Sequence, residues 1–383
     1  MLKEDITYLN FGSFGACARP VFEKYQQFQR ELEEEPVQFF ISKGPQYLKR
    51  SREALGRYLG CPADDLVYVT NPSYAVNIVA KSLQLKPGDE ILTTDLEYGA
   101  CEKTWDFVCK RSGAKLVRRH IPLPVQSQQQ IVSAIQGGIT QNTRLIFISH
   151  VTSTTALRLP VEQICAAARD KKIPCFVDGA HGPGLLPLNL SRLGATMYTG
   201  ACHKWMLTPK GSAFIYVERS FQAKLDPLVV SWGYQSAKPS HSQFLDHHEG
   251  QGTRDYSAFL TIPAAIEFMR KNNWEEAAAK SREMVQRNAE RFSELLQCEL
   301  LAPVNEDFIT QMLSIPVRTP DPEGLQKLLF EKHKIEVPVM PHNNDVYLRY
   351  SINAFNRDED LDNLYDALNT IQQEGVLLKQ RQY

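Results

Sequence analysis

The sequence predicts an α/β protein: a mostly parallel sheet with helices on both faces, followed by a smaller α/β domain. Three observations carry that expectation. From residue 66 onward, short apolar runs alternate with segments of helical pattern, as in repeated β-α-β units whose strands are buried on both faces. The chain has 383 residues, more than one ordinary core organises. After residue 255 the grain changes to longer helices with fewer strands between them.

In chain order, "LVYVT" (66–70), "EILTT" (90–94), "AKLVRRHI" (114–121), "RLIFIS" (144–149), "PCFVDG" (174–179) and "GSAFIYV" (211–217) are the expected strands. "SYAVNIVAKSLQ" (73–84) and "PVEQICAAARDKK" (160–172) read as helices between them. Beyond the change of grain, 259–273 and 274–297 read as two helices. The second is amphipathic, with Met284, Val285, Phe292, Leu295 and Leu296 toward one side. A strand at 310–317, a helix from Pro322 to His333, a strand at 346–352 and a helix from Asp358 to Glu374 complete the pattern. The expected division is 16–258 for the large domain and 259–383 for the small one, with 1–15 packing near the latter. "ELEEEP" and "QSQQQ" read as solvated surface.

Hydrophobic residues make up 43% of the chain and the formal net charge is −1. That balance excludes a general nucleic-acid or membrane-surface binder and favours small-molecule partners. The start "MLKEDITYLNFG" has no basic-then-apolar leader, and no apolar run approaches roughly 18 residues, so a cytoplasmic protein is expected. Eight cysteines are scattered without a CxxC pair, which suggests neither a zinc ribbon nor a disulfide framework. Glycine fingerprints for nucleotides are absent from every strand–turn–helix context.

In sheets of this kind ligands sit at the carboxyl ends of the strands. Strand "PCFVDGAH" delivers Asp178 and His181 there, and Lys204 follows 26 residues after Asp178 in "TGACHKWMLTPKG". Alone, the aspartate is a turn starter and the lysine a solvated charge. Together they suit pyridoxal phosphate (PLP): a desolvated lysine, here beside Trp205 and Met206, attaches to the aldehyde, and a carboxylate keeps the ring nitrogen protonated so that the ring accepts electrons. The phosphate then needs a seat, and "TNPSYAVN" (70–77) offers a strand end, a turn and a helix starting near Ser73. Free amides of Ser73, Tyr74 and Ala75 with the Ser73 hydroxyl suit an anion, although an ordinary serine N-cap has the same pattern.

The ordered set of "TNPSYAVN", "VDGAH", "HKW…PKG" and "GTRD" (252–255), with "LNFGSFG" (9–15) ahead of it, resembles class V of the PLP-dependent aminotransferase superfamily and within it the isopenicillin N epimerase-like branch. The resemblance implies the type I PLP-dependent transferase fold, with a seven-stranded sheet and a homodimer sharing its active sites. By position it makes Lys204 the covalent anchor and Asp178 the partner of the ring nitrogen. His181 and Ser153 then lie near the phenolic oxygen, and Tyr98 in "DLEYGA" on the ring face. Ser73, Tyr74 and His203 contact the phosphate, and Thr253 reaches the phosphate of the neighbouring subunit. Arg349 grips the substrate carboxylate and Asn10 borders the substrate. Phe11 and Ala201 depart from the branch's usual histidine and asparagine, removing polar groups near the site.

Removal of a Cα proton by Lys204 is common to the family; the reaction then branches to epimerisation, β-elimination or transamination. The resemblance ranks an epimerase-like enzyme first, a C–S lyase second and an aminotransferase third. No cysteine occurs after Cys298, which argues against a desulfurase that carries sulfur on a C-terminal thiol. "DHHEG" (246–250) with His241 is the candidate metal cluster, but adjacent loop histidines lack helical ligand spacing, so no metal is expected. A catalytically silent scaffold is the non-enzyme alternative, disfavoured because Lys204 and Asp178 are both present.

Overall fold

Twelve strands run through the computed structural model, which describes residues 1–377. In chain order they are β1 (Thr7–Tyr8), β2 (Leu66–Val69), β3 (Glu90–Thr94), β4 (Lys115–Arg119), β5 (Thr143–Ser149), β6 (Cys175–Gly179), β7 (Met197–Ala201), β8 (Ala213–Val217), β9 (Met312–Pro316), β10 (Ile335–Glu336), β11 (Val339–His342) and β12 (Asp345–Ser351). Seven of them form one sheet in the order β2-β8-β7-β6-β5-β3-β4. Only β8 runs against its neighbours; the other pairs are parallel.

This sheet is buried because its strands are apolar on both sides. In β5, Leu145 and Phe147 enter one hydrophobic cluster while Ile146 and Ile148 enter the other, across the sheet, as the two-residue period of a strand requires. At one edge, β4 carries Lys115, Arg118 and Arg119 with no wholly buried residue, charges that discourage pairing with another chain. The reading of short apolar runs found six of the seven strands. It passed over β7, whose "MYTGA" contains glycine, threonine and alanine and takes its burial from β6 and β8 on either side.

Two N-terminal helices, Arg19–Glu34 and Gly44–Leu59, also lay outside the sequence reading. The first buries only Val21, Phe28 and Leu32, a stripe too thin to stand out beside its many charges; "ELEEEP" is its last turn, exposed from Glu33 onward but with Leu32 buried. "QSQQQ" is more than surface, since Ser127 caps the helix Gln128–Gln136 by accepting from the Gln130 amide. The "DHHEG" histidines sit on a short helix, Gln243–Glu249, rather than a loop, and the His248 ring packs 5.0 Å from Phe244. Among the described residues, no three His, Cys, Asp or Glu side chains are placed to share a metal ion, and no helix is long and apolar enough to cross a membrane.

The C-terminal part is a three-stranded antiparallel sheet, β11-β12-β9, with helices Trp274–Leu296, Pro322–His333 and Asp358–Gln373. The short strands β1 and β10 pair in parallel and tie the N-terminal segment to this part. Val285, Phe292, Leu348 and Tyr350 join the same cluster as Tyr68 and Val177, so one apolar core runs continuously from the large sheet into the small one.

Candidate active site

Because β2, β3, β5, β6 and β7 run in one direction, their carboxyl ends open onto one edge of the sheet. The strand order reverses between β3 and β5, the position where such sheets form a crevice. Around it lie Ser73 after β2, Tyr98 after β3, Ser153 after β5, Asp178 and His181 at and after β6, and Lys204 after β7.

Lys204 stands in the loop joining β7 to β8. Both the Cys202 and His203 amides donate to the Ser212 carbonyl, at 3.0 and 3.1 Å, closing the loop at its base. Gly15 of the "LNFGSFG" stretch lies against the Lys204 backbone: with φ of 64° and a would-be Cβ only 2.6 Å from the Lys204 Cα, no other residue fits. The amine is pushed down to about 8 by its low-dielectric surroundings first and by the Arg349 guanidinium second. Its nearest polar neighbour is Nε2 of His181 at 3.4 Å. Nδ1 of His181 in turn accepts the indole N–H of Trp205 at 3.3 Å.

Asp178 is buried at the end of β6. Its Oδ1 accepts from the Ala180 amide at 3.0 Å, and its Oδ2 faces only the Cys101 thiol, at 3.5 Å. Burial raises the carboxyl above its ordinary range. An anion so sparsely hydrogen-bonded calls for a cation. Glu97, one residue before Tyr98, is a second buried carboxyl, held by the Thr94 hydroxyl at 2.7 Å and by the Ser149 amide and hydroxyl at 2.8 and 2.5 Å. Sequence reading passed over it, since an acidic residue in a turn ordinarily faces water.

Arg349 on β12 is 1% exposed. Nη1 donates to the Ser153 carbonyl at 2.6 Å and Nη2 to the Ser13 hydroxyl at 2.9 Å. Nε is buried without a partner. That leaves Nε as a free donor next to Nη2, on the edge of the guanidinium by which an arginine grips a carboxylate. Ser13, from the opening "LNFGSFG", was not singled out as a site residue. Asn10, three residues earlier, is buried; its Nδ2 donates to Glu336 at 3.2 Å, and its Oδ1 is unpartnered.

At the other end of the site one expectation changes. The helix after β2 starts at Pro72, and its cap is Asn71, whose Oδ1 takes the Tyr74 amide at 2.9 Å. The serine N-cap reading of Ser73 is therefore wrong, and of the three amides expected to be free the Tyr74 amide is already engaged and the Ala75 amide donates to the Asn71 carbonyl at 3.4 Å. Ser73 instead occupies the second helical position, where an amide has no intrahelical acceptor. The Tyr74 hydroxyl donates to Gln251 at 3.1 Å, and Arg254 donates to the same oxygen at 3.3 Å. Thus the "GTRD" segment lies beside the helix start, with Thr253 exposed in the single chain. Nδ1–H of His203 donates to the Ser212 carbonyl at 2.8 Å, and burial lowers the ring to about 4. Tyr98 caps the next helix, Gly99–Ser112, and is 47% exposed.

The family model for aminotransferase class-V matches residues 18–364. The chain belongs to that family. Its members are PLP-dependent enzymes, and PLP is the cofactor. Isopenicillin N epimerase of Streptomyces clavuligerus is 33% identical over 97% of this chain and 96% of its own. A probable chloroplastic L-cysteine desulfhydrase of Arabidopsis thaliana is 27% identical over 97% of this chain and 84% of its own. Among solved structures, the apo cysteine desulfurase of Thermococcus onnurineus NA1 superposes with a TM-score of 0.84 at 19% identity, covering 97% of this chain and 95% of that one. The fold is accordingly the type I PLP-dependent transferase fold. The residues present fit the cofactor: a lysine amine of lowered basicity and a buried carboxylate short of partners lie at or just past the ends of neighbouring strands, and the Ser73 amide stands in the first turn of the helix after β2.

Proposed function

We propose that this class-V enzyme acts at the Cα of an amino acid or small peptide-like amine, in the manner of an isopenicillin N epimerase. Lys204 would hold the cofactor's aldehyde carbon and Asp178 its ring nitrogen. Tyr98 would cover the ring face, His181 and Ser153 would flank the phenolic oxygen, and Ser73, Tyr74 and His203 would hold the phosphate. Bound there, PLP supplies an electron sink for the charge left when a Cα bond breaks.

The observation that carries the reading is the pairing of Lys204 with Arg349. The guanidinium is close enough to depress the lysine's basicity and keeps its Nε donor unpartnered. A substrate carboxylate held there brings its α-carbon toward the Lys204 amine, with Asn10 bordering the bound molecule. Lowered to about 8, the amine is partly unprotonated near neutral pH and competent to take a Cα proton. Ser13 and Ser153 restrain the arginine, so orientation is prepared before substrate arrives.

Identity to the epimerase exceeds that to the desulfhydrase, 33% against 27%, which favours return of the proton to Cα over loss of a β-substituent. Incubating holoenzyme with L-amino acids and L-cysteine in D2O separates the outcomes. Deuterium at Cα with D-product supports the proposal, pyruvate with sulfide supports the C–S lyase, a keto acid supports the aminotransferase, and no Cα exchange with any substrate overturns it.

A homodimer with shared sites belongs to the same proposal, as do the division at 258/259 and a cytoplasmic location. Exposed Thr253, in the segment that touches Tyr74, supports the shared site. Sedimentation should give twice the chain mass, and Thr253→Ala should weaken cofactor retention.

A further inference from the structure

Strands β3 and β5 are neighbours for only part of their length. Their register pairs are Glu90 with Thr143, Ile91 with Leu145 and Leu92 with Ile146. Beyond these, Thr93 and Thr94 pair only outward, with Arg118 and Arg119. On the other side Phe147, Ile148 and Ser149 pair only with β6, Ser149 lying opposite Asp178. The ladder between them therefore ends before their carboxyl ends, leaving a gap at the position where the strand order reverses.

Glu97 spans that gap. It is 3% exposed, and its side chain joins Thr94 of β3 to Ser149 of β5 through three hydrogen bonds. The next residue is Tyr98, which begins the helix carrying Cys101, and the Cys101 thiol meets Asp178. The segment 97–101 thus touches the β5–β6 pair at two points with Tyr98 between them.

We propose that Glu97 is a positioning residue, a strut across the β3–β5 gap whose length holds Tyr98 and Asp178 at the separation the cofactor ring requires. This rests on the reading that Tyr98 and Asp178 flank the ring. Length matters more than charge here. Burial pushes the Glu97 carboxyl up to about 8, with Asp178 nearby adding to the rise, so near neutral pH the group is mostly a neutral acid. A glutamine reproduces its reach, accepting from Ser149 through oxygen and, like the O–H of a neutral acid, donating to the Thr94 hydroxyl, the reverse of the direction in which Thr94 holds a carboxylate. Aspartate keeps the acid but is one methylene short.

The test compares Glu97→Gln, Glu97→Asp and Glu97→Ala. It uses the equilibrium constant for PLP uptake by apoenzyme, the visible spectrum of the reconstituted protein across pH, and the thermal midpoint. The strut predicts weaker uptake and a displaced visible spectrum in the Asp and Ala variants, by about tenfold in the constant, the order expected for one buried hydrogen-bonding group. Glu97→Gln should stay within about twofold of the parent. If glutamine is the impaired variant and aspartate the tolerated one, charge acts and the strut is overturned. Parent-like uptake and spectra in the Asp variant, with only a lowered thermal midpoint, also overturn it by leaving a purely structural role. Should the parent take up no PLP at all, the underlying cofactor reading fails instead, and the strut with it. The Asp and Gln pair decides the matter even if the Ala variant does not fold.

Discussion

Trp205 donates its indole N–H to Nδ1 of His181 across 3.3 Å, and this assigns the histidine's tautomer. Burial lowers the ring's basicity far below the usual value, so it is neutral. With Nδ1 accepting, the proton sits on Nε2, which faces the Lys204 amine at 3.4 Å. An N–H directed at an amine requires a free lone pair there, so Trp205 favours the uncharged lysine through His181.

Replacing Trp205 with Phe removes the donor and lets His181 present a bare Nε2. That nitrogen accepts from a charged lysine, and the Lys204 pKa should rise above about 8. The pH dependence of PLP uptake by the Trp205→Phe apoenzyme should move to higher pH. An unchanged profile would mean that another contact sets the tautomer.

Lys204→Ala should abolish the covalent chromophore. The parent protein should absorb in the roughly 410–430 nm range expected of a lysine-bound cofactor, and borohydride should fix the label to Lys204. Cα exchange should fall by about 10²- to 10⁴-fold, the usual contribution of a general base. Full exchange in the variant would move the base elsewhere.

Arg349→Met should raise KM for α-carboxylate substrates by about tenfold to a hundredfold, the loss of a charge-assisted fork, with a smaller change in kcat. Arg349→Lys should recover little, because an ammonium cannot hold Ser153, Ser13 and a carboxylate in one plane. The same KM for an amine with and without a carboxylate would remove Arg349 from substrate binding.

His150 is 1% exposed, with Nδ1 3.1 Å from the Tyr198 hydroxyl, and burial lowers it to about 3. Below its unfolded value near 6.5, the unfolded chain binds a proton that the folded one refuses. Stability from this group is therefore present above pH 6.5 and is lost as pH falls toward about 3. His150→Gln should flatten the apoenzyme's stability curve in that window by about 1.4 kcal/mol per pH unit, read by urea unfolding at several pH values.

Much of this protein is written locally. Lys204, Asp178 and Ser73 could be singled out as candidates because ligand sites of an α/β sheet lie at strand ends, and strand ends announce themselves by turn residues after apolar runs. The principal strands and C-terminal helices were legible for the same reason, since period and turn chemistry lie within a few residues of each other. Asn71 replaced Ser73 as the cap because either residue type serves at a helix start, and the choice rests on one backbone conformation.

Other features depend on contacts between distant segments. Strand β7 is a strand because β6 and β8 flank it; its own residues have little preference. Glu97 looks like a solvated acid until β5 brings Ser149 to it, 52 residues on, and Arg349 meets Ser13 across 336 residues. Short-range pattern specified most of the strands and the C-terminal helices, with the kinds of chemical group at their ends, but not β7 or the two N-terminal helices. Which groups meet, which are stripped of water and how far the crevice opens were decided by the tertiary structure alone, because pKa values and hydrogen-bond partners depend on neighbours that chain order does not specify.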